Sequence, residues 1–388
     1  NTAFANPLAL NVTSASGDPV NGGRVTFTAP ASGASTNPAT NNATVTGGAV
    51  SQSVTANATG GVYNVIASAS GAPSVTFALT NTCSSTVVVT NANDNGAGSL
   101  RQAITDVCGG GTINFNDNYT ITPASELTID WDMTIDGVGH TVTVSGNNAV
   151  RVFYVNAGVT FNLSNLTVAN GNAGNDSGGG IYNKGTLNVT NSIFSNNRAG
   201  GSSGDPGVIF GGGGIANYST ATVTNSTFFT NSATYYGGGI LNYPGATLTV
   251  VNSTFAGNGL PLASGGGIDN LGAATVTNST FSGNSTPYNS GGGGGIFNYP
   301  GAIVTVVNST FAGNGLPLAS GGGINNLGAA TVTNSTFSDN HTGTGAGISN
   351  NGTLNVTNST FSGNSATGAG GGIANYNGTT TVTNCSFS

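Results

Sequence analysis

A repeat of 24 to 34 residues restricts the fold of this chain more than any other feature of its sequence. Beyond residue 178, a glycine-rich stretch ends in Ile, an Asn follows two positions later, and a Phe with an Asn three positions before it comes next. The segment 243–284 recurs almost unchanged at 299–340. The differing pairs are Thr247/Ile303, Leu248/Val304, Asp269/Asn325 and Gly283/Asp339. Such a repeat predicts a solenoid in which each unit stacks on an equivalent one.

Each unit contains short β segments and glycine-rich corners, which is typical of one coil of a parallel β-helix. Coils stack at the inter-strand spacing of about 4.8 Å, so equivalent inward positions form ladders. The predicted aromatic ladder contains Phe194, Phe228, Phe255, Phe281, Phe311, Phe337, Phe361 and Phe387. The predicted amide ladder contains Asn183, Asn217, Asn242, Asn270, Asn298, Asn326, Asn350 and Asn375. We therefore expect an all-β protein built around a right-handed parallel β-helix.

Residues 1–82 have a different rhythm, with apolar and polar residues alternating in short segments separated by turn signals. This two-residue period predicts strands of a small β-sandwich. The segments 7–10, 18–20 and 25–30 make the region similar to bacterial immunoglobulin-like domains of the invasin type. The resemblance implies an N-terminal Ig-like β-sandwich over residues 1–82.

The β-helix is predicted over residues 83–388, in three parts. Residues 83–110 form a capping segment whose apolar residues Leu100, Ala103, Ile104 and Val107 have helical spacing. In residues 111–177 the β segments are unevenly spaced, so we expect irregular coils there. In residues 178–388 the repeat predicts about eight regular coils.

Two further resemblances support this fold. The Gly-Gly-Gly-Ile and Phe-x-x-Asn pair is similar to the repeats of chlamydial polymorphic outer-membrane proteins, and 90–104 resembles the leader of secreted bacterial pectate-lyase-like β-helix proteins. Together the resemblances cover residues 83–388. They imply surface display and adhesion, although the fold itself hosts enzymes and passive stalks alike.

Composition excludes some classes of partner. Five Lys and Arg residues against twelve Asp and Glu residues give a net charge of −7, which leaves no basic patch for nucleic acid. No apolar run is long enough to span a membrane. We expect an extracellular or cell-surface protein.

The chain has three cysteines, Cys83, Cys108 and Cys385. A disulfide between Cys83 and Cys108 would close a short loop and stabilise the fold by about 3 kcal/mol. Cys385 is then left for an intermolecular bond. The alternative is three buried free thiols.

The sequence offers little for catalysis. From residue 178 onward the charged residues are Lys184, Arg198, Asp205, Asp269 and Asp339. None of these carboxylates forms the pair that glycoside hydrolysis requires, so we predict no catalytic residues and no enzyme. Asp130, Asp132 and Asp136 share one strand face and are weak candidates for a calcium site, against the alternative of a solvated face. Asn-x-Ser/Thr sequons abound, and we expect most of their asparagines to point inward.

We therefore predict a structural or adhesive surface protein. Because the sequence ends within a coil, we expect self-association head to tail into a fibre, with the alternative that it is a piece of a longer adhesin. Cell-surface glycans or receptors are further expected partners. The alternative function is a carbohydrate-binding or polysaccharide-active β-helix, with Tyr218, Tyr243 and Tyr299 as its platform.

Overall fold

The computed structural model describes residues 3–200, 209–259, 265–285, 292–317 and 319–388. The chain divides into two compact units. The first contains Asn1–Val88 and Gln102–Ile113, and the second contains Val89–Arg101 and Asn114–Ser388. Within the described residues, no helix has the length and apolar character needed to cross a membrane.

The first unit contains two antiparallel sheets. Its strands are β1 (Leu8–Asn11), β2 (Arg24–Thr28), β3 (Thr40–Thr44), β4 (Ala49–Gln52), β5 (Gly61–Ser68) and β6 (Val75–Asn81). One sheet has the order β3-β2-β5-β6 and the other pairs β1 with β4. Alternate residues such as Val25, Phe27, Tyr63 and Val65 are buried, as the two-residue period predicts. The arrangement is compatible with a small β-sandwich.

The predicted capping segment, residues 83–110, is divided between the two compact units. The segments concerned are β7 (Ser84–Val89), α1 (Leu100–Asp106) and β8 (Val107–Phe115). Residues 83–88 and 102–110 belong to the first unit, and residues 89–101 belong to the second. Within the first unit, Gly109 donates a backbone hydrogen bond of 2.8 Å to Ala58, and Cys108 is bonded to Cys83.

The second unit contains three parallel sheets that the chain visits in turn. Sheet 1 consists of β10 (Leu127–Ile129), β13 (Phe153–Val155), β16 (Ile181–Asn183), β20 (Ile215–Asn217), β24 (Ile240–Asn242), β27 (Ile268–Asn270), β30 (Ile296–Asn298), β33 (Ile324–Asn326), β37 (Ile348–Asn350) and β41 (Ile373–Asn375). Sheet 2 contains β11 (Met133–Asp136), β14 (Thr160–Ser164), β17 (Thr186–Thr190), β21 (Thr220–Thr224), β25 (Thr247–Val251), β28 (Ala273–Thr277), β31 (Ile303–Val307), β34 (Ala329–Thr333), β38 (Thr353–Thr357) and β42 (Thr379–Thr383).

Sheet 3 consists of β9 (Tyr119–Ile121), β12 (Val142–Ser145), β15 (Thr167–Ala169), β18 (Ile193–Ser195), β22 (Thr227–Phe229), β26 (Thr254–Ala256), β29 (Thr280–Ser282), β32 (Thr310–Ala312), β35 (Thr336–Ser338), β39 (Thr360–Ser362) and β43 (Ser386–Phe387). Two short parallel pairs follow sheet 3, namely β19 (Arg198–Ala199) with β23 (Ser232–Ala233), and β36 (His341–Thr342) with β40 (Ser365–Ala366). Successive passes through the three sheets make the second unit a parallel β-helix.

The strands over residues 111–177 pair in register with one another and with those of the repeats. Leu127 pairs with Phe153, and Phe153 pairs with Ile181, so the first coils continue in register into the repeats. Met133 likewise pairs with Phe161. The uneven sequence spacing arises from the segments between strands, while the strands keep their register.

In the repeats, each sheet contributes characteristic apolar side chains to the interior. Sheet 1 contributes Ile, as at Ile268; sheet 2 contributes Leu, Val or Ala, as at Val276; and sheet 3 contributes Phe, as at Phe281. Those three side chains are fully buried. Because strand residues alternate between faces, Thr275 of the same β28 strand lies outside. The repeat therefore becomes a continuous apolar core.

Candidate functional site

The predicted phenylalanine ladder lies in one stack inside sheet 3. Consecutive ring centroids from Phe194 to Phe387 are 4.7–4.8 Å apart, with interplanar angles of 3–7°. The rings from Phe194 to Phe361 are at most 1% exposed, whereas Phe387 is 52% exposed. The stack is a structural element, because its buried rings are out of reach of a ligand.

The predicted asparagine ladder follows sheet 1. From Asn183 to Asn350, each Nδ2 donates to Oδ1 of the next coil over 2.7–2.8 Å, and Asn375 is the last acceptor. The amides from Asn183 to Asn350 are fully buried. A buried amide requires partners, and each coil supplies them to the next.

A second asparagine ladder follows sheet 3, at positions three residues after the stacked Phe. It consists of Asn197, Asn231, Asn258, Asn284, Asn314, Asn340 and Asn364. Each Nδ2 before Asn364 donates to Oδ1 of the next coil over 2.8–3.0 Å. The Phe-x-x-Asn motif is the sequence signal for this ladder.

A serine ladder at the corner between sheets 2 and 3 has no counterpart among the predicted site residues. Its backbone N–H groups donate to Oγ of the next coil over 3.1–3.2 Å, at Ser192, Ser226, Ser253, Ser279, Ser309 and Ser335. Ser359 N–H donates instead to Sγ of Cys385, 3.4 Å away. Cys385 therefore occupies a serine position of the ladder. The constant Ser after the corner Asn is the signal that identifies it.

The expectation that most sequon asparagines point inward is wrong for the corner positions. They are Asn225, Asn252, Asn278, Asn308, Asn334 and Asn358, each followed by Ser-Thr. All six are exposed and have φ between 49° and 52°. The corner requires the left-handed conformation, which Asn tolerates better than most residues, and this turns the side chain outward.

The three candidate calcium ligands accept hydrogen bonds within the fold. Asp130 accepts one from Asn156 Nδ2, and Asp132 accepts one from the backbone of Thr160. Asp136 accepts one from Asn165 Nδ2 over 2.7 Å. No group of three or more His, Cys, Asp or Glu that could hold a metal ion occurs in the described parts of the chain. Asp205 lies outside the described residues.

Cys83 and Cys108 form a disulfide within the first unit. This is the pairing that the short loop between them predicts. Cys385, in the second unit, is free and partly exposed.

A cluster of charged and aromatic side chains on the outer side of sheet 1 is the most site-like feature of the second unit. We call it the Tyr154 cluster, and it consists of Glu126, Arg151, Tyr154, Asp176, Tyr182 and Lys184. Arg151 forms ion pairs with Glu126 and Asp176, the former over 2.8 Å. Its Nε also donates to the carbonyl oxygens of Ser177 and Gly178.

The cations of the Tyr154 cluster lie beside two stacked rings. Tyr154 and Tyr182 are parallel, with centroids 5.1 Å apart. The guanidinium carbon of Arg151 is 4.9 Å from the centroid of Tyr182, and Lys184 Nζ is 5.5 Å from that of Tyr154. A hydrogen bond with Tyr154 raises the pKa of Lys184, so the ammonium is charged at neutral pH. Contacts of this kind between cations and rings contribute about 0.5–1 kcal/mol each at exposed sites.

The tyrosine stack continues through Tyr218 to Tyr243. Ring centroids are 4.7 Å apart for Tyr182 and Tyr218, and 3.4 Å apart for Tyr218 and Tyr243. Burial raises the pKa of all three phenols, that of Tyr243 to about 12. Tyr243 is 6% exposed, and its hydroxyl contacts Ser177 Oγ over 2.9 Å.

This geometry changes the expected carbohydrate platform. Tyr218 and Tyr243 cover each other's faces, and Tyr299 packs edge-on against Phe297. Tyr154 is the outermost ring of the stack, because the position beside it in β10 is Thr128. The cluster combines side chains from separate coils, so no local motif predicts it. The Tyr next to Ile181, Asn217 and Asn242 in successive repeats is the available sequence signal.

One family model agrees with the fold. The family model described as the right handed beta helix region matches residues 213–387. A search of curated proteins finds no match. Among solved structures, jun a 1, the major allergen from cedar pollen, is similar at 16% identity and a TM-score of 0.34, over 60% of this chain and 67% of that one.

The A-module of the mannuronan C-5 epimerase AlgE6 from Azotobacter vinelandii is similar at 11% identity and a TM-score of 0.36. That similarity covers 76% of this chain and 99% of the other. Neither likeness transfers an activity to this chain, and the fold rests on the sheet topology and the family model. The second unit is a right-handed parallel β-helix.

Proposed function

We propose that the chain is a non-enzymatic extracellular protein with a structural or adhesive role at a surface. The observation that carries this proposal is the absence of charge on sheets 2 and 3. From β17 to β43, every described strand position of these two sheets is uncharged. The outward positions are mostly Thr, Ser and Asn, as at Thr222, Thr249 and Thr275. Catalysis of acid–base or nucleophilic type requires titratable groups at the reacting centre.

An extracellular location is supported by the Cys83–Cys108 disulfide, because such bonds persist in oxidising compartments. The small number of Lys and Arg residues gives trypsin-like proteases few cleavage sites. Both features suit a protein that is exposed outside the cell.

Self-association into a fibre is the second part of the proposal. Phe387 extends the aromatic stack at 4.8 Å from Phe361, yet it is 52% exposed, and Val382 of β42 is 43% exposed. The strands β41, β42 and β43 present the same ladder spacing that every coil presents to the next. We propose that copies associate head to tail through the edges of their β-sheets, a heterologous contact that generates a filament; the alternative is that further coils of a longer adhesin cover this surface. The edge strands β3 and β6 of the first unit are the proposed partners.

Sedimentation velocity over a range of concentrations tests this assembly. Phe387→Asp places a charge in the proposed contact, so we expect the wild-type chain to form larger species with concentration and the variant to stay monomeric. Phe229→Asp is the matched control, since Phe229 is 49% exposed on sheet 3 but lies in β22, outside the last coil. Equal sedimentation of all three proteins as monomers overturns the assembly proposal.

Carbohydrate binding is a second candidate function, favoured by the Tyr154 cluster. Its rings and carboxylates are the kinds of group that bind sugars by stacking and hydrogen bonding. An adhesive surface protein with such a cluster would use cell-surface glycans as partners. Binding and assembly are separate properties, since the cluster lies in the coils of β10, β13 and β16, whereas Phe387 lies in β43.

A further inference from the structure

We infer that the Tyr154 cluster is a binding site for an uncharged pyranose, an inference that rests on the second candidate function and specifies its ligand. Tyr154 is the outermost ring of the tyrosine stack and is partly exposed. A pyranose has one face lined by C–H groups, and this apolar face packs on an aromatic ring. The phenol of Tyr154 thus provides the stacking contact.

Two carboxylates are linked to that ring through Arg151, whose guanidinium carbon is 5.6 Å from the ring centroid and which binds both of them. The side chain of Glu126 is 39% exposed and that of Asp176 is 48% exposed. In the described part of the chain, Glu126 binds Arg151 through Oε2, which leaves Oε1 to accept a sugar hydroxyl. Lys184 is exposed, and besides its hydrogen bond with Tyr154 its ammonium has further donors for hydroxyl oxygens.

Charge balance selects the class of ligand. The cluster contains two carboxylates and two cations, and Arg151 is already neutralised by its two ion pairs. An anionic sugar would meet Glu126 and Asp176 as like charges, and a cationic one would meet Lys184. An uncharged sugar is not repelled by either charge, so its hydroxyls can bind both the carboxylates and the ammonium.

Arg151 is a positioning residue in this site. It is 8% exposed and binds Glu126, Asp176 and two backbone carbonyls, so it fixes the carboxylates that face solvent. Because both ligand-facing carboxylates are held by one buried group, the site is ordered before a sugar arrives. Such preorganisation reduces the entropy that binding must overcome.

Saturation-transfer NMR with the full chain tests this inference, using the methyl pyranosides of glucose, galactose and mannose as probes. We expect saturation of ring protons of at least one probe. We expect Tyr154→Ala to lower the affinity about tenfold, which is equivalent to the loss of a ring contact of about 1.4 kcal/mol. Lys184→Ala lowers it as well, and because Lys184 is exposed, this variant keeps the fold.

Tyr376→Ala is the matched control, because it removes an exposed Tyr from a distant coil and leaves binding unchanged. No saturation transfer to any of the three probes, or equal transfer in the wild type and both cluster variants, overturns the inference. Stronger binding of methyl glucuronide than of methyl glucoside overturns the assignment to uncharged sugars. Sedimentation of the same variants shows which proposal has failed. Absence of sugar binding with intact assembly overturns the sugar site alone. Absence of assembly with intact sugar binding overturns the fibre alone.

Discussion

Nδ2 of Asn270 donates a hydrogen bond to Oδ1 of Asn298 in the next coil, 2.8 Å away, while Nδ2 of Asn298 donates in turn to Asn326. All three amides are fully buried. Asn298→Ala removes an acceptor and a donor at once. We expect a loss of about 1–3 kcal/mol for each buried group left without a partner, measured as the free energy of unfolding in urea.

The control for this substitution is Asn355→Ala, on the outer face of β38, where the amide is exposed. Surface changes of this kind alter stability by less than about 0.5 kcal/mol. Equal stability of the two variants would mean that the amide ladder contributes nothing to the fold.

The aromatic stack makes a second prediction. Phe281 is fully buried, with Phe255 and Phe311 each 4.8 Å away by ring centroid. Phe281→Ala leaves a cavity in a rigid stack, so we expect a loss of about 3–5 kcal/mol by urea unfolding. Phe229→Ala, which removes a ring that is 49% exposed on the same sheet, is the control. A loss of under 1 kcal/mol at Phe281 would contradict a close-packed stack.

The corner conformation makes a third prediction. Asn278 has φ of 50° and an exposed side chain. Asn278→Gly keeps this conformation accessible, whereas Asn278→Val places a β-branched residue in it at a cost of about 1–2 kcal/mol. Thermal unfolding should rank Gly close to the wild type and Val clearly below it. The reverse order would contradict the left-handed corner.

The tyrosine stack predicts a loss of stability at alkaline pH. Burial raises the pKa of Tyr182, Tyr218 and Tyr243 above the ordinary value of 10.0, so the folded state favours the neutral phenols. Their contribution is complete below pH 10 and is lost as the pH rises, for Tyr243 through about 12. Urea unfolding between pH 9 and pH 12 measures the effect. Tyr243→Phe cannot ionise there, so a pH dependence as steep as that of the wild type would contradict the assignment.

The sequence predicts the repeating part of the fold well, because one physical pattern determines it. The Ile, Asn and Phe columns recur at equivalent positions, and stacking equivalent positions is the definition of a ladder. The register of the strands over residues 111–177 could not be predicted in this way, since Leu127 and Phe153 replace the repeated Ile while keeping the same register. Register is a property of paired strands and cannot be read from uneven spacing.

The candidate site is harder to predict from sequence. Glu126, Arg151 and Asp176 belong to three separate segments and meet only because the coils stack. Cys385 has a structural role that its sequence context does contain, since it replaces the Ser of the corner motif. The Ig-like character of the first unit remains a prediction, because two antiparallel sheets are common to many β-sandwiches.

Negative-stain electron microscopy of the full chain at neutral pH, with and without reductant, tests the central claim most directly. A protein whose coil edge binds a second copy should form regular fibres with an axial repeat close to the length of one chain. Persistence of the fibres in reductant would show that Cys385 is not required for the joint. Uniform short rods at every concentration would contradict the proposal that this chain is a filament subunit.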